Sequence, residues 1–404
     1  MVKNSFDKAW DFVWRELFCE QTNTFYDYKS SRDADGLYRH LPNSKEILAS
    51  IPNPCSWNTG MEDGGIMAGL MLEIIAYRYQ ATKDKRLQDY AKKVIDGLKL
   101  LTSVTGIRGF LARNVLLQNG KHYCYSDSSR DQYTHVIYGA HKYMETALCT
   151  DEERAFLSDM LVAFAEYAEK CVTEENGYRL LRADGGRGFV SCMLKHISPH
   201  EQLRLPMFYI SAWKVSGDKH WLDKYHEVRD ETLEKSFDLK TKYWEQNFCL
   251  GQMQDSVRLC YDLETDEHYK KQYEKLAKQV AEFTEDDALR KIAEHAEKTG
   301  RKFDALGMEW RKKPMTYLYF WGAPLDGLGY YMPEDNKDYK EDMWNLQSFG
   351  VNLSIQLLCP NRKPKTESIE LLMRIVNCVD FDNHATRAVF YILSAYWNLQ
   401  AQCY

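Results

Sequence analysis

Two short stretches of this chain combine residues able to move protons. In Ser56-Trp57-Asn58-Thr59-Gly60-Met61-Glu62-Asp63-Gly64-Gly65, two adjacent carboxylates sit between a tryptophan and a glycine pair, and a long apolar helix pattern begins immediately after. Glu62 and Asp63 are therefore expected at a helix N-terminus, where free N–H groups and the positive end of the dipole favour negative charge. Neighbouring helix positions point roughly 100° apart, so one carboxylate is expected to face a cleft and the other to cap or pair locally. Trp57 and Asn58 precede them, and Gly60, Gly64 and Gly65 are expected to let backbone approach a ligand. The plainer alternative is a pair of acids that only stabilise the dipole, by about 0.3–1 kcal/mol each.

Asp127-Ser128-Ser129-Arg130-Asp131-Gln132-Tyr133-Thr134-His135 has the same design and again opens an apolar helix. Asp131 and His135 are four apart and share a helix face. With Arg130 they bring together an acid, an imidazole and a guanidinium, groups that transfer protons and bind anions. The alternative is a capping acid beside a structural arginine.

Two further segments carry candidate binding residues. Leu181-Arg182-Ala183-Asp184-Gly185-Gly186-Arg187-Gly188 lacks the lysine of a phosphate loop and follows no strand pattern, so it reads as a mobile loop presenting Arg182 and Arg187. His196, His200 and Arg204 follow; Pro199 between the two histidines makes a helical metal pair poor. Tyr317 to Gly327 packs aromatics between Gly and Pro breaks, with Trp321 and Asp326 as a stacking ring and a polar contact; simple packing beneath a loop competes. No nucleophilic serine or cysteine signature, dinucleotide fingerprint or calcium loop is present, so neither metal nor cofactor is expected.

The 404 residues are 44% hydrophobic and 13% aromatic, with 27 Tyr and 10 Trp, enough for a large helical core. A net charge of −6 without a basic block makes nucleic acid an improbable partner. No run is long and apolar enough to span a membrane. The 11 cysteines are odd in number, scattered and without a C-x-x-C pair, which suggests reduced thiols rather than a disulfide framework. A cytoplasmic location is expected, or a periplasmic or secreted one if a signal peptide was removed.

Apolar residues recur with a period near 3.6, predicting helices at 3–19, 61–81, 85–104, 131–149, 151–174, 200–216, 218–235, 248–263, 266–284, 286–299, 342–358, 364–378 and 384–401. Convincing strands are few. Ser/Thr and Asp recur where one helix stops and the next needs a cap, around Thr82 and Asp84, Thr150 and Asp151, Ser216 and Asp218, and Thr265 and Asp266. Residues 84, 151, 218 and 266 are separated by 67, 67 and 48 positions, an irregular repeat of helical hairpins. The long segments 20–60, 105–130, 175–199, 236–247 and 300–341 all fall at the opposite end, giving one functional face. About six such hairpins fit the length, so the expected fold is all-α: residues 1–404 as a single (α/α)6 toroid with a polar, loop-rich insertion around 285–341. The polar stretch 264–302 reads as a solvated outer face.

The hairpin junctions, Gly106-Ile107-Arg108-Gly109-Phe110-Leu111-Ala112-Arg113 and Ser128 to His135 resemble the six-hairpin glycosidase superfamily. As architecture the resemblance covers most of the chain; at the level of motif it is confined to these segments. It implies carbohydrate chemistry on an (α/α)6 toroid. Asp63 and Asp131 look like the aspartates that unsaturated-glucuronyl hydrolases of the group carry at inner-helix entrances, whereas the Asp-Asp pair of its endo-mannanases is missing.

The leading expectation is a glycoside hydrolase in which Asp63 and Asp131 act as acid and base, with Glu62 and His135 as further catalytic candidates. Trp57 and Trp321 would stack on sugar rings, with Asn58, Tyr133 and Asp326 as polar contacts. Arg130, Arg182, Arg187 and Arg204 would bind a substrate carboxylate, which points to a uronic-acid-containing glycan. A polysaccharide lyase or epimerase is the first rival, with Tyr133, His135, His196 or His200 as base. A non-catalytic carbohydrate-binding toroid is the second.

Overall fold

The computed structural model describes residues 2–33, 39–239, 247–284, 286–319 and 329–403. Trp321 and Asp326 lie outside the described residues. In chain order the helices are α1 (Val2–Phe12), α2 (Ser44–Leu48), α3 (Gly64–Thr82), α4 (Leu87–Ser103), α5 (Arg130–Met144), α6 (Asp151–Cys171), α7 (Arg204–Ser216), α8 (Lys219–Ser236), α9 (Asn247–Leu263), α10 (Glu267–Glu282), α11 (Asp286–Thr299), α12 (Lys337–Leu358), α13 (Thr366–Val376) and α14 (Val389–Gln402).

Which helices lie inside follows from their surfaces. Helices α3 and α14 are buried almost all round, as expected of helices apolar on every side, and α5 is buried as completely although it carries polar and charged residues. Each packs on the next in the order α3, α5, α7, α9, α12, α14, and α14 returns to α3, so six helices close a ring. Helices α4, α6, α8, α10 and α13 are two-faced and pack outside their hairpin partners. The sixth outer helix is α1, brought against α14 by the stacked rings of Phe6 and Tyr396, whose centroids are 3.6 Å apart. One hairpin is thus made from the two ends of the chain. The fold is an (α/α)6 toroid, with α11 packed additionally on α12 and α13.

The tight junctions use the chemistry their sequences suggested. Thr150 makes a capping box with Glu153, and Asp218 and Asp266 accept from the amides of His220 and His268. Lys83 and Gly217 end their helices in the left-handed conformation. All these turns run from an inner to an outer helix, so they gather at one end of the ring.

Connections at the other end are long and carry four antiparallel hairpins: β1 (Phe18–Cys19) with β2 (Thr24–Phe25), β3 (Leu116–Gln118) with β4 (Lys121–Tyr123), β5 (Arg179–Leu181) with β6 (Arg187–Cys192), and β7 (Met315–Tyr319) with β8 (Gly329–Pro333). The glycine-rich segment at 181–188 is therefore the turn of a hairpin rather than a mobile loop. All eleven cysteines are free thiols. No helix among the described residues is long and apolar enough to cross a membrane.

Candidate active site

Because the inner helices run parallel, their N-termini meet at the long-loop end. Residues at or just ahead of α3, α5, α9, α12 and α14 line one cavity of about 510 Å³ there. Its charged wall holds Glu62, Asp63, Asp131, Arg113, Lys340 and Arg387. The rest of the lining includes Trp57, Phe248, Met332, Met343 and Trp344, which are apolar. The helix dipoles direct their positive ends at the three acids.

Asp63 precedes α3 but makes no side-chain cap bond. Gln132 Nε2 donates to its Oδ1 at 2.7 Å, Arg113 Nη1 lies 3.4 Å from the same oxygen, and Arg387 Nη1 pairs with Oδ2. Two guanidiniums and an amide thus occupy both oxygens. Asp63 therefore borders the cavity, as expected, but is held in place through both oxygens.

Glu62 differs. Oε1 accepts the Asn58 amide proton at 2.6 Å, and Oε2 has no hydrogen-bond partner among the described residues. Burial, then the negative charge of Asp27, push the Glu62 carboxyl above the ordinary glutamate range, against Lys340 and Arg387. A carboxyl raised in this direction is better suited to giving a proton to a leaving group than an ordinary glutamate.

Asp131 stands in the first turn of α5. Its carboxylate accepts no hydrogen bond from the described residues, and its nearest cation, Arg204 Nη2, is 3.9 Å away. Arg204 is 1% exposed and donates to Thr134 Oγ1 at 2.7 Å and to Gln252 Oε1 at 2.6 Å. It braces the acid from beneath the cavity.

One turn deeper, His135 is sealed inside the ring, with Nδ1 3.4 Å from Asp255 Oδ2. Burial and Arg204 push its pKa down to about 3, so it stays neutral. Asp255 and Glu73 line the same small void, raised to about 7 and about 8, chiefly by burial. His135 does not line the cavity, which removes it from the catalytic candidates.

Several other expected site residues lie elsewhere. Tyr133 is fully buried, its hydroxyl donating to the Gly109 carbonyl and accepting from the Leu111 amide. Arg130 is paired with Glu201. Arg182 holds Asp184 at 2.7 Å in the β5–β6 turn, and Arg187 donates to the Glu175 carbonyl. His196 is exposed on the following loop, and His200 is buried beside Glu201. Like Arg204, none of these borders the cavity. The four arginines behind the uronic-acid expectation therefore lie off the site, as do the four bases a lyase would need. Trp57 and Asn58 do border it, although the Asn58 side chain is committed to the Pro333 carbonyl at 3.0 Å. The glycines serve packing: a methyl at Gly64 would meet the Arg113 carbonyl at 2.7 Å, and one at Gly65 would meet Gln132 at the same distance.

Sequence reasoning missed Asp27, Arg113, Lys340, Trp344 and Arg387. Lys340 and Arg387 were legible in principle, since each stands at the start of an inner helix, as Glu62 and Asp131 do. Asp27 follows a two-residue strand and has no periodic pattern around it. Among the described residues, no three His, Cys, Asp or Glu side chains converge as a metal-binding group.

Residues 13–295 match the family model described as beta-L-arabinofuranosidase, GH127 catalytic domain. Solved structures similar to this chain include a glycoside hydrolase family 76 mannosidase from Bacteroides thetaiotaomicron, at 10% identity over 99% of this chain and 98% of that one, with a TM-score of 0.47. A D-mannose isomerase matches at 13% identity over 98% and 97%, with a TM-score of 0.45. A sugar epimerase from a ruminal bacterium matches at 15% identity over 70% and 71%, with a TM-score of 0.41. Comparison with curated proteins returned no match.

Proposed function

Given that this chain belongs to the GH127 beta-L-arabinofuranosidase catalytic-domain family and is a glycoside hydrolase, we propose that it releases a neutral pentofuranose, L-arabinofuranose foremost, with Glu62 and Asp131 as its two working carboxyls. The observation behind this reading is that the two acids reach one cavity from different helix entrances in opposite states of engagement. Glu62 is anchored through one oxygen and its carboxyl is raised above the ordinary range, chiefly by burial; Asp131 accepts no hydrogen bond from the described residues. Glu62 protonates the glycosidic oxygen as the bond breaks. Asp131 either attacks the anomeric carbon or takes a proton from the attacking water, according to the carboxyl separation.

The charge of the lining supports an uncharged sugar. Arg113 and Arg387 are both held by Asp63, and Lys340 has Asp335 at 3.5 Å, so each cation already has an acid. Trp57 and Trp344 offer apolar faces to the ring; Trp344 is 41% exposed although it borders the cavity.

The test is release of free arabinose from an aryl β-L-arabinofuranoside by the purified chain, with aryl mannosides and a uronic polymer alongside. Arabinose release abolished by Asp131→Asn, and lost in Glu62→Gln when the leaving group is poor, supports the reading. No release, or release untouched by both substitutions, overturns it. An absorbance rise near 235 nm on the polymer would instead indicate elimination.

A further inference from the structure

We propose that Asp27 is a positioning residue of this site: its buried carboxylate fixes the peptide that presents Glu62 and Asp63 and stands behind Glu62. The inference rests on the reading of Glu62 as the proton donor. Asp27 is 1% exposed and does not border the cavity. Its Oδ2 accepts from the backbone amides of Glu62 at 2.6 Å and Asp63 at 3.4 Å, and its Oδ1 accepts from Arg387 Nη1 at 2.5 Å. Its own amide donates to the Gly60 carbonyl at 3.1 Å, and its carbonyl accepts from the Arg387 amide at 2.9 Å. Five contacts therefore tie Asp27 to the loop carrying the acids and to the entrance of α14.

Charges reach Glu62 from every side. Tyr28 and Asp27 come from the segment after β2, Asp63 is adjacent, and Arg113 Nη1 donates to the Glu62 carbonyl at 3.0 Å. Tyr339 and Lys340 come from α12, and Arg387 from the α14 entrance. Arg387 is shared between Asp27 and Asp63, and Lys340 also faces Asp335. The cations are thus divided among several acids. Glu62, already desolvated, sits beside the fixed charge of Asp27, and a like charge in a buried site disfavours a second ionisation.

Carboxyl-¹³C-glutamate labelling reads this without substrate. The Glu62 resonance is the one that disappears in Glu62→Gln. In the wild type it should titrate above the ordinary value of about 4.3. Asp27→Asn should lower its midpoint by about one pH unit, and Asp27→Glu should restore it. The alkaline limb of kcat/KM should move by the same amount, which a merely structural role would not produce. An unchanged Glu62 midpoint in Asp27→Asn overturns the inference. If that variant does not fold, the wild-type titration decides: a midpoint at the ordinary value overturns it. Failure to release arabinose counts against the proposed function alone, because the titration needs no turnover.

Discussion

Gly69 of α3 and Gly139 of α5 lie backbone against backbone. A methyl at Gly139 would stand 2.0 Å from the Gly69 carbonyl oxygen, and one at Gly69 would stand 2.2 Å from the carbonyl oxygen of His135. The absence of side chains at both positions permits this close approach, and it brings the entrances carrying Asp63 and Asp131 to one cavity. Gly139→Ala should force the helices apart and destabilise the protein by about 1–3 kcal/mol, read from denaturant unfolding. Activity should fall further than the folded fraction, because the acids move with their helices.

The two working carboxyls should separate kinetically. Glu62→Gln should lower kcat by about 10²–10⁴-fold on a poor leaving group, and far less on an activated aryl glycoside that departs without protonation. Asp131→Asn should lose activity on both. Equal losses on both substrates for Glu62→Gln would remove it from the acid role.

Asp63→Asn should behave as a positioning change. Arg113 and Arg387 would lose their shared acid, leaving two buried guanidiniums undercompensated, with Asp27 alone for Arg387. A destabilisation of about 3–5 kcal/mol is expected for breaking such a buried network. Activity per folded molecule should survive better than in Asp131→Asn; a dead but fully stable Asp63→Asn protein would contradict this.

The buried pair Glu73 and Asp255 predicts how stability follows pH. Both carboxyls are raised in the folded ring, Glu73 to about 8 by burial and by the charge of Asp255, and Asp255 to about 7 by burial. Folded protein then binds more protons than unfolded chain above about pH 4, where free carboxyls ionise. Their contribution is complete below that pH and is lost as pH rises through about 7 to 8. Glu73→Gln should flatten the decline by on the order of 2 kcal/mol between about pH 5 and about pH 8, measured by unfolding at each pH.

Trp344 should act through binding. Its ring is braced by Phe248, with centroids 6.1 Å apart, and the residue borders the cavity. Trp344→Ala should raise KM about tenfold with kcat nearly unchanged, as expected when a contact equal in ground and transition states is removed.

The helices and their inward faces were legible because they are local. A period of 3.6, Thr150 as cap and Gly217 as stop depend on a few neighbouring residues, and they determine hairpins of a given length and order. The acids at 62, 63 and 131 were legible for the same reason, as the polar residues that open apolar helices. What local pattern could not rank was Glu62 against Asp63. Their difference lies in Arg387, 324 positions from Asp63, and in Asp27, 35 positions before Glu62.

By itself the sequence determined an all-α ring and put acidic residues at inner-helix entrances, since helix periodicity and capping are short-range properties. Only the tertiary structure decided which polar groups meet. It took His135, four residues from Asp131, into the dry centre of the ring, and brought Arg387 from the far end of the chain to Asp63. Ring closure juxtaposes residues far apart in sequence, and a buried charge is stabilised by whatever partner that closure supplies.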